Sequence, residues 1–114
     1  MGIDIQRLFN EEIPAGLVKN ADAAKQIGAK YQINITGNDG GEWFIDVSDS
    51  GPRIEPSNPG TADCSVTMAA EDFQKFMESP ASNGMQLFFS GKLKVTGDNM
   101  LAMKLSKLFE FRSR

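Results

Sequence analysis

Histidine is absent from the 114 residues, and cysteine occurs once, as Cys64. Without an imidazole the chain can build no Ser-His-Asp or Cys-His catalytic pair, no His-bearing zinc site and no histidine acid–base step. One cysteine cannot close an internal disulfide, so the fold does not depend on an oxidising compartment. Lying on the apolar side of an expected strand with no basic partner in view, Cys64 reads as an inert core residue rather than a nucleophile. No run approaches the ~18 apolar residues that cross a bilayer. The opening Met1-Gly2-Ile3-Asp4-Ile5-Gln6 is charged too early for a signal-peptide core, and Gln6 stands where myristoylation wants Ser or Thr. A cytoplasmic protein is expected, and Asn34-Ile35-Thr36 is then an accidental glycosylation sequon. Walker-type and dinucleotide glycine patterns are missing too. Asp46-Val47-Ser48-Asp49-Ser50-Gly51 resembles the start of a calcium loop but meets Ser57 where the bidentate Glu belongs. No metal and no cofactor are therefore expected.

What is present is an ordinary globular composition, 40% apolar and 24% charged. The length fits a single domain over residues 1–114 with a radius of gyration of roughly 13 Å. Charge is unevenly spread. Residues 92–114 hold six basic groups (Lys92, Lys94, Lys104, Lys107, Arg112, Arg114) against Asp98 and Glu110, a segment charge of +4, while the other 91 residues carry −7. Such a segment is either a solvated face or a patch for anionic lipid headgroups, at about 1 kcal/mol per Lys or Arg near the surface. The acidic net charge and the lack of interleaved aromatics argue against nucleic acid as a partner.

Periodicity divides the chain into elements. Ile5, Leu8, Phe9, Ile13 and Leu17 lie roughly on one side of a helix over 3–19, which Pro14 should kink or divide. Asn20 is placed to cap a short helix over 21–27 that Gly28 would end. Tyr31, Ile33 and Ile35, then Trp43, Ile45 and Val47, alternate with polar neighbours across the Asn38-Asp39-Gly40-Gly41 turn, and Arg53–Glu55 completes a three-stranded meander. The loop 57–61 reads as a crossover to a fourth strand carrying Cys64, Val66 and Met68. A helix over 71–78 follows, starting on Glu71 and Asp72, which suit its positive dipole end. After the break at Ser79-Pro80 come a short apolar helix around 85–89 and a fifth strand with Leu93 and Val95. Asp98 can cap a last helix over 99–111. The expected class is α+β, a five-stranded twisted sheet with helices covering one face.

Methionine (6) and phenylalanine (8) are abundant and concentrate after residue 68. On the last helix Leu101, Ala102, Leu105, Leu108 and Phe109 form one stripe, whereas Met100, Met103 and Phe111 fall outside it beside Lys104 and Lys107. Met85, Leu87, Phe88 and Phe89 likewise cover most of a short helix. These side chains either fill a second layer or line an apolar cavity between sheet and helices, and adaptable Met suits such walls. The pattern leaves both open.

Three segments resemble the sterol carrier protein type 2 family: Gly41-Glu42-Trp43-Phe44-Ile45-Asp46-Val47; Ala62-Asp63-Cys64-Ser65-Val66-Thr67-Met68 with Glu71-Asp72-Phe73; and Phe88-Phe89-Ser90-Gly91-Lys92-Leu93-Lys94-Val95-Thr96-Gly97 running into Met100-Leu101-Ala102-Met103-Lys104-Leu105. Their order and spacing match over nearly the whole chain. The resemblance implies helices enclosing a hydrophobic tunnel and a non-catalytic role. The implied activity is binding and transfer or presentation of a sterol, fatty acid, fatty acyl-CoA or phospholipid. It places Trp43, Phe73, Met77, Phe88, Phe89, Leu93, Met100, Met103 and Leu105 on the tunnel wall, with the last-helix residues as its lid. Ser90 stands where several animal relatives carry Gln, which bears on headgroup preference. The internal Ser106-Lys107-Leu108 cannot act as a peroxisomal address. Lys104 and Lys107 are the expected docking residues for transient contact with an anionic membrane. Two other readings accompany this one: an accessory or dimerisation module presenting lipid to a lipid-metabolising enzyme, and an enzyme acting on an acyl thioester with carboxylates or Lys as base.

Overall fold

The computed structural model describes residues 4–38, 40–49, 51–98, 100, 101, 104, 108 and 109, the side chains of 80 and 81 excepted. Alternation produces the sheet. Strands β1 (Lys30–Thr36), β2 (Gly41–Asp46), β3 (Arg53–Glu55), β4 (Cys64–Ala69) and β5 (Leu93–Gly97) stand in the order β3-β2-β1-β4-β5. The central pair β1–β4 is parallel and the other pairs are antiparallel. Tyr31 lies opposite Ile45 and Cys64, Ile33 opposite Trp43 and Val66, and Met68 opposite Ile35 and Leu93. Since side chains alternate along a strand, these residues share one face, and Gln32, Asn34, Phe44, Asp46, Ser65, Thr67 and Lys94 share the other.

The helices all serve the first face. They are α1 (Ile5–Arg7), a π-helical turn Leu8–Glu12, α2 (Ile13–Lys19), α3 (Ala21–Lys25), α4 (Ala70–Glu78) and α5 (Pro80–Phe89). Ile5, Leu8, Phe9, Ile13, Leu17, Phe73, Phe76, Leu108 and Phe109 join Tyr31, Ile33, Trp43, Ile45 and Val66 in a single buried cluster. The α+β class and the five-stranded sheet covered by helices are those expected. The radius of gyration is 12.7 Å.

A parallel β1–β4 pair requires a crossover from β3, and residues 56–63 make it on the face the helices leave free. Gln32 Nε2 donates to the Ser57 carbonyl at 3.1 Å and Asn58 Nδ2 to Glu42 at 2.9 Å. Phe44 and Gln32 are each only 2% exposed on that side. Where the crossover enters β4, Gly97 has φ +91°, and a Cβ there would sit 2.4 Å from the Asp63 carbonyl oxygen. Only glycine lets β5 end against Asp63 and hand the chain to Asp98, whose amide donates to that same carbonyl at 3.1 Å.

Several local expectations are refined. Pro14 does not divide the first helix. It falls in the first turn of α2, just after the π-helical turn, in which the Ile13 N–H reaches back to Leu8. The widened turn absorbs a residue that lacks an N–H and crowds the preceding carbonyls. Asn20 makes no side-chain cap on α3, which ends at Lys25; instead its Nδ2 closes α2 by donating to the Gly16 carbonyl at 2.9 Å. The break at Ser79-Pro80 is one residue wide, because Pro80 opens α5, a first-turn position where its missing N–H costs nothing. Of the last helix, only 100, 101, 104, 108 and 109 are among the described residues. Asp98 does cap its start, accepting from the Met100 N–H at 2.9 Å.

Candidate functional site

Five aromatic rings from four parts of the chain meet under the helices. Phe9 stacks on Trp43 at 4.3 Å between centroids, nearly parallel at 11°. Phe9 also lies 5.5 Å from Phe73 and 5.9 Å from Phe109. Phe109 completes the group edge-on against Phe73 at 5.6 Å and Phe76 at 5.7 Å. None of the five is more than 4% exposed. The π-helical turn supplies both Phe9 and its neighbour Asn10, whose Oδ1 accepts from the Trp43 Nε1–H at 3.1 Å. A buried indole needs such a partner. The result is a soft apolar interior of rings, Met68 and Met77, with a polar handle at its Trp43 end.

Beyond the Asp98 amide, a long-range bond among the described residues fastens the chain after β5 over this interior. Tyr31 Oη donates to the Leu101 carbonyl at 2.7 Å, tying the middle of the sheet to the start of the last helix. Burial, then the neighbouring Cys64, Asp98 and Asp63, push the Tyr31 hydroxyl pKa well up. The Cys64 thiol beside it is pushed up to about 11, again first by burial and then by Asp98 and Asp63. Cys64 is therefore a protonated, 1% exposed thiol at neutral pH, which is not nucleophile chemistry. The fully buried Asp46 accepts from the Ser48 N–H at 2.9 Å and from its hydroxyl, with Arg53 Nε at 3.7 Å. It locks the β2–β3 connection. Among the described residues no group of three His, Cys, Asp or Glu side chains could hold a metal ion.

Of the residues singled out from the sequence, the structure brings Trp43, Phe73, Met77 and Leu93 together in the buried cluster. It places Phe88 (46% exposed), Phe89 (77%) and Met100 (72%) toward solvent. Ser90 is exposed and ends α5, its hydroxyl directed at the Gln86 and Leu87 carbonyls at 2.8 and 3.2 Å. Lys104 is exposed, and Met103, Leu105 and Lys107 lie outside the described residues. A groove of about 500 Å³ runs between α4, α5 and the residue before β5, lined by Lys75, Glu78, Asn83, Gln86, Leu87, Ser90 and Lys92. The sequence places Phe9 and Phe109 in the apolar stripes of their helices, but marks neither them nor Phe76 as part of the site. Tyr31 was read only as a strand residue. The signal for the first three was their share of the aromatic surplus; nothing local marks the Tyr31 partner, 70 residues away.

Comparison with known proteins agrees with this geometry. The model of the SCP-2 sterol transfer family matches residues 9–110. Hydroxysteroid dehydrogenase-like protein 2 of Rattus norvegicus is 42% identical over 81 residues, 70% of this chain and 15% of that protein. The chain spans between 15% and 21% of the length of such curated relatives. Among solved structures, apo sterol carrier protein 2 of Yarrowia lipolytica superposes with a TM-score of 0.68 at 27% identity, over 94% of this chain and 84% of that one. The sterol carrier protein 2 of Aedes aegypti, in complex with the C16 fatty acid palmitate, gives 0.69 at 20% identity, over 99% and 100%, a likeness of fold. Among the described residues no helix is long and apolar enough to cross a membrane.

Proposed function

This chain belongs to the SCP-2 sterol transfer family, and on that premise we propose that it binds one lipid molecule between sheet and helices and transfers or presents it, without catalysing its conversion. The observation that carries the reading is the five-ring interior, over which the Tyr31 hydrogen bond to the Leu101 carbonyl ties the following chain. Rings and methionines can part and re-pack around a guest, and Met adapts to several shapes. The palmitate bound by the mosquito fold relative makes a fatty acyl chain the first ligand class to try, with sterol, acyl-CoA and phospholipid alongside. Each CH₂ withdrawn from water contributes about 0.8 kcal/mol, enough to offset the ordering of a long chain. We assign the wall to Trp43, Phe73, Met77 and Leu93, all members of the one buried cluster. Lys104 and Lys107 are assigned to transient contact with an anionic membrane surface during loading and unloading.

Trp43 is the only tryptophan, and it stacks on Phe9, so its emission reports the interior directly. Titration of delipidated protein with a C16 fatty acid is expected to shift Trp43 emission saturably, and organic extraction of freshly purified protein is expected to yield a lipid. Neither a shift nor an extracted lipid with any of the four ligand classes would overturn the carrier reading. A presenting role within a larger assembly is favoured by one observation: this chain matches only 15% of a dehydrogenase-like relative. A stable complex with a lipid-metabolising enzyme, formed only by lipid-loaded protein, would establish it.

A further inference from the structure

Where the buried rings reach the surface beside Trp43, the polar atoms have a fixed sense. Trp43 is 2% exposed, whereas Asn10, which accepts its indole N–H at 3.1 Å, is an exposed residue. Asn10 does not present either end of its amide at will. Its Nδ2 donates to Gln6 Oε1 at 3.2 Å, and Gln6 Nε2 donates in turn to the Gly40 carbonyl at 2.8 Å. With its nitrogen engaged by Gln6, Asn10 turns an acceptor oxygen toward the ring, beside the donor on Trp43. Gly41 leaves room for the indole in this pose, since a Cβ there would lie 2.8 Å from the Trp43 Cη2. A lipid lying among the rings needs a place for its polar end, and this pair is where buried apolar surface and solvent meet.

We propose that Trp43 and Asn10 form the headgroup subsite of this chain, and that it selects a lipid ending in an uncharged hydroxyl over one ending in a carboxylate. The inference rests on the carrier reading and supplies the chemistry that ranks its ligands. A hydroxyl is donor and acceptor at once. Inserted into the Trp43–Asn10 bond, it accepts from the Nε1–H and donates to Oδ1, so neither partner loses its bond when the head enters. A carboxylate accepts from the indole but sets its charge against Oδ1, and an ester likewise offers acceptors alone. The surrounding charge acts in the same direction. Residues 4–12 hold Asp4, Glu11 and Glu12 against Arg7, a local charge of −2, and Arg7 already lies 4.0 Å from Glu12. Glu42, next to Trp43 in β2, is bonded to Asn58 on the other face of the sheet. The Tyr31 end is no better for an anion. The Tyr31 hydroxyl hydrogen is taken by the Leu101 carbonyl, and Asp98 and Asp63 stand close enough to add to the upward push that burial gives its pKa.

The test titrates the delipidated full chain at neutral pH with dodecanol, dodecanoate and methyl dodecanoate, which share a tail and differ in the head. Binding is read by Trp43 emission and by the indole N–H resonance in NMR spectra. Dodecanol is expected to bind about tenfold tighter than dodecanoate and about fivefold tighter than methyl dodecanoate, and to move the indole resonance. Asn10→Leu is expected to weaken dodecanol binding about tenfold and to leave dodecanoate nearly unchanged, which erases the preference. That variant also removes the indole's partner and so costs stability. Glu11→Gln, which leaves the Trp43–Asn10 bond in place, is therefore measured beside it; it should tighten dodecanoate about twofold without altering dodecanol. Dodecanoate binding as tight as that of dodecanol, an indole resonance unmoved at saturating dodecanol, or a preference retained in folded Asn10→Leu would each overturn the subsite while leaving the carrier reading standing. Binding of none of the ligands would overturn the carrier reading itself, and the subsite with it.

Discussion

Tyr31 shows how much a single hydroxyl can govern. Its hydrogen bond to the Leu101 carbonyl is the described polar tie between the sheet and the start of the last helix, and its ring is wholly buried. Tyr31→Phe keeps the ring and removes the tie. The expected outcome is a loss of about 1 kcal/mol in denaturant stability together with faster release of bound fatty acid, measured by stopped-flow transfer to acceptor vesicles. Unchanged release would mean that the tie does not hold the interior shut. Cys64 offers a second test through pH. Its pKa is raised from 9.0 to about 11 in the folded chain, so the folded state keeps a proton that the unfolded state gives up. Stability from this group is therefore complete below about pH 9 and lost as pH climbs toward 11, a decline of roughly 2 kcal/mol. Cys64→Ala should flatten that alkaline decline in urea melts taken at stepped pH. Tyr31, whose pKa is also raised, adds a decline that begins higher and persists in the variant.

At the level of the element, the strands were the legible part. Period-two alternation of Tyr31, Ile33 and Ile35 and of Trp43 and Ile45 set both the strands and the side each residue faces, because a pleated strand allows nothing else. The helices were less legible wherever a wider turn or a neighbour decided the outcome. Pro14 reads as a break, but the π-helical turn before it converts the defect into a change of winding that delivers Phe9 and Asn10 side by side beneath Trp43. Asn10→Leu is expected to strand the indole N–H and to cost about 1–3 kcal/mol, read as a lower denaturation midpoint with altered Trp43 emission. Helix α5 was legible as apolar, but not that Leu87 is the side chain it buries while Phe88 and Phe89 stay exposed. Periodicity says which residues share a side; only the fit of Gly84 on Phe76 decides which side is inward. For the same reason sequence could not tell which of the apolar residues are buried, and Phe88 and Phe89 are exposed.

For the whole molecule, charge is arranged by region, basic after residue 91 and acidic before it. Reversal of Lys104 and Lys107 to Glu is expected to slow lipid transfer to anionic vesicles several-fold at low salt while leaving uptake in buffer intact. Added salt should shrink the difference, because exposed charges are screened beyond about 8–10 Å. Equal transfer by this double variant and the wild type would remove the assignment of these lysines. The closed stack of Phe9 on Trp43, with Phe73 and Phe109 across it, sets the form of the loading kinetics. A cargo molecule cannot slide into rings already in contact; it waits for them to separate, so the observed rate should cease to rise with fatty-acid concentration. The plateau would equal the frequency with which the unliganded protein opens. Selectivity among lipids would then show itself in how long each stays, not in how quickly each arrives.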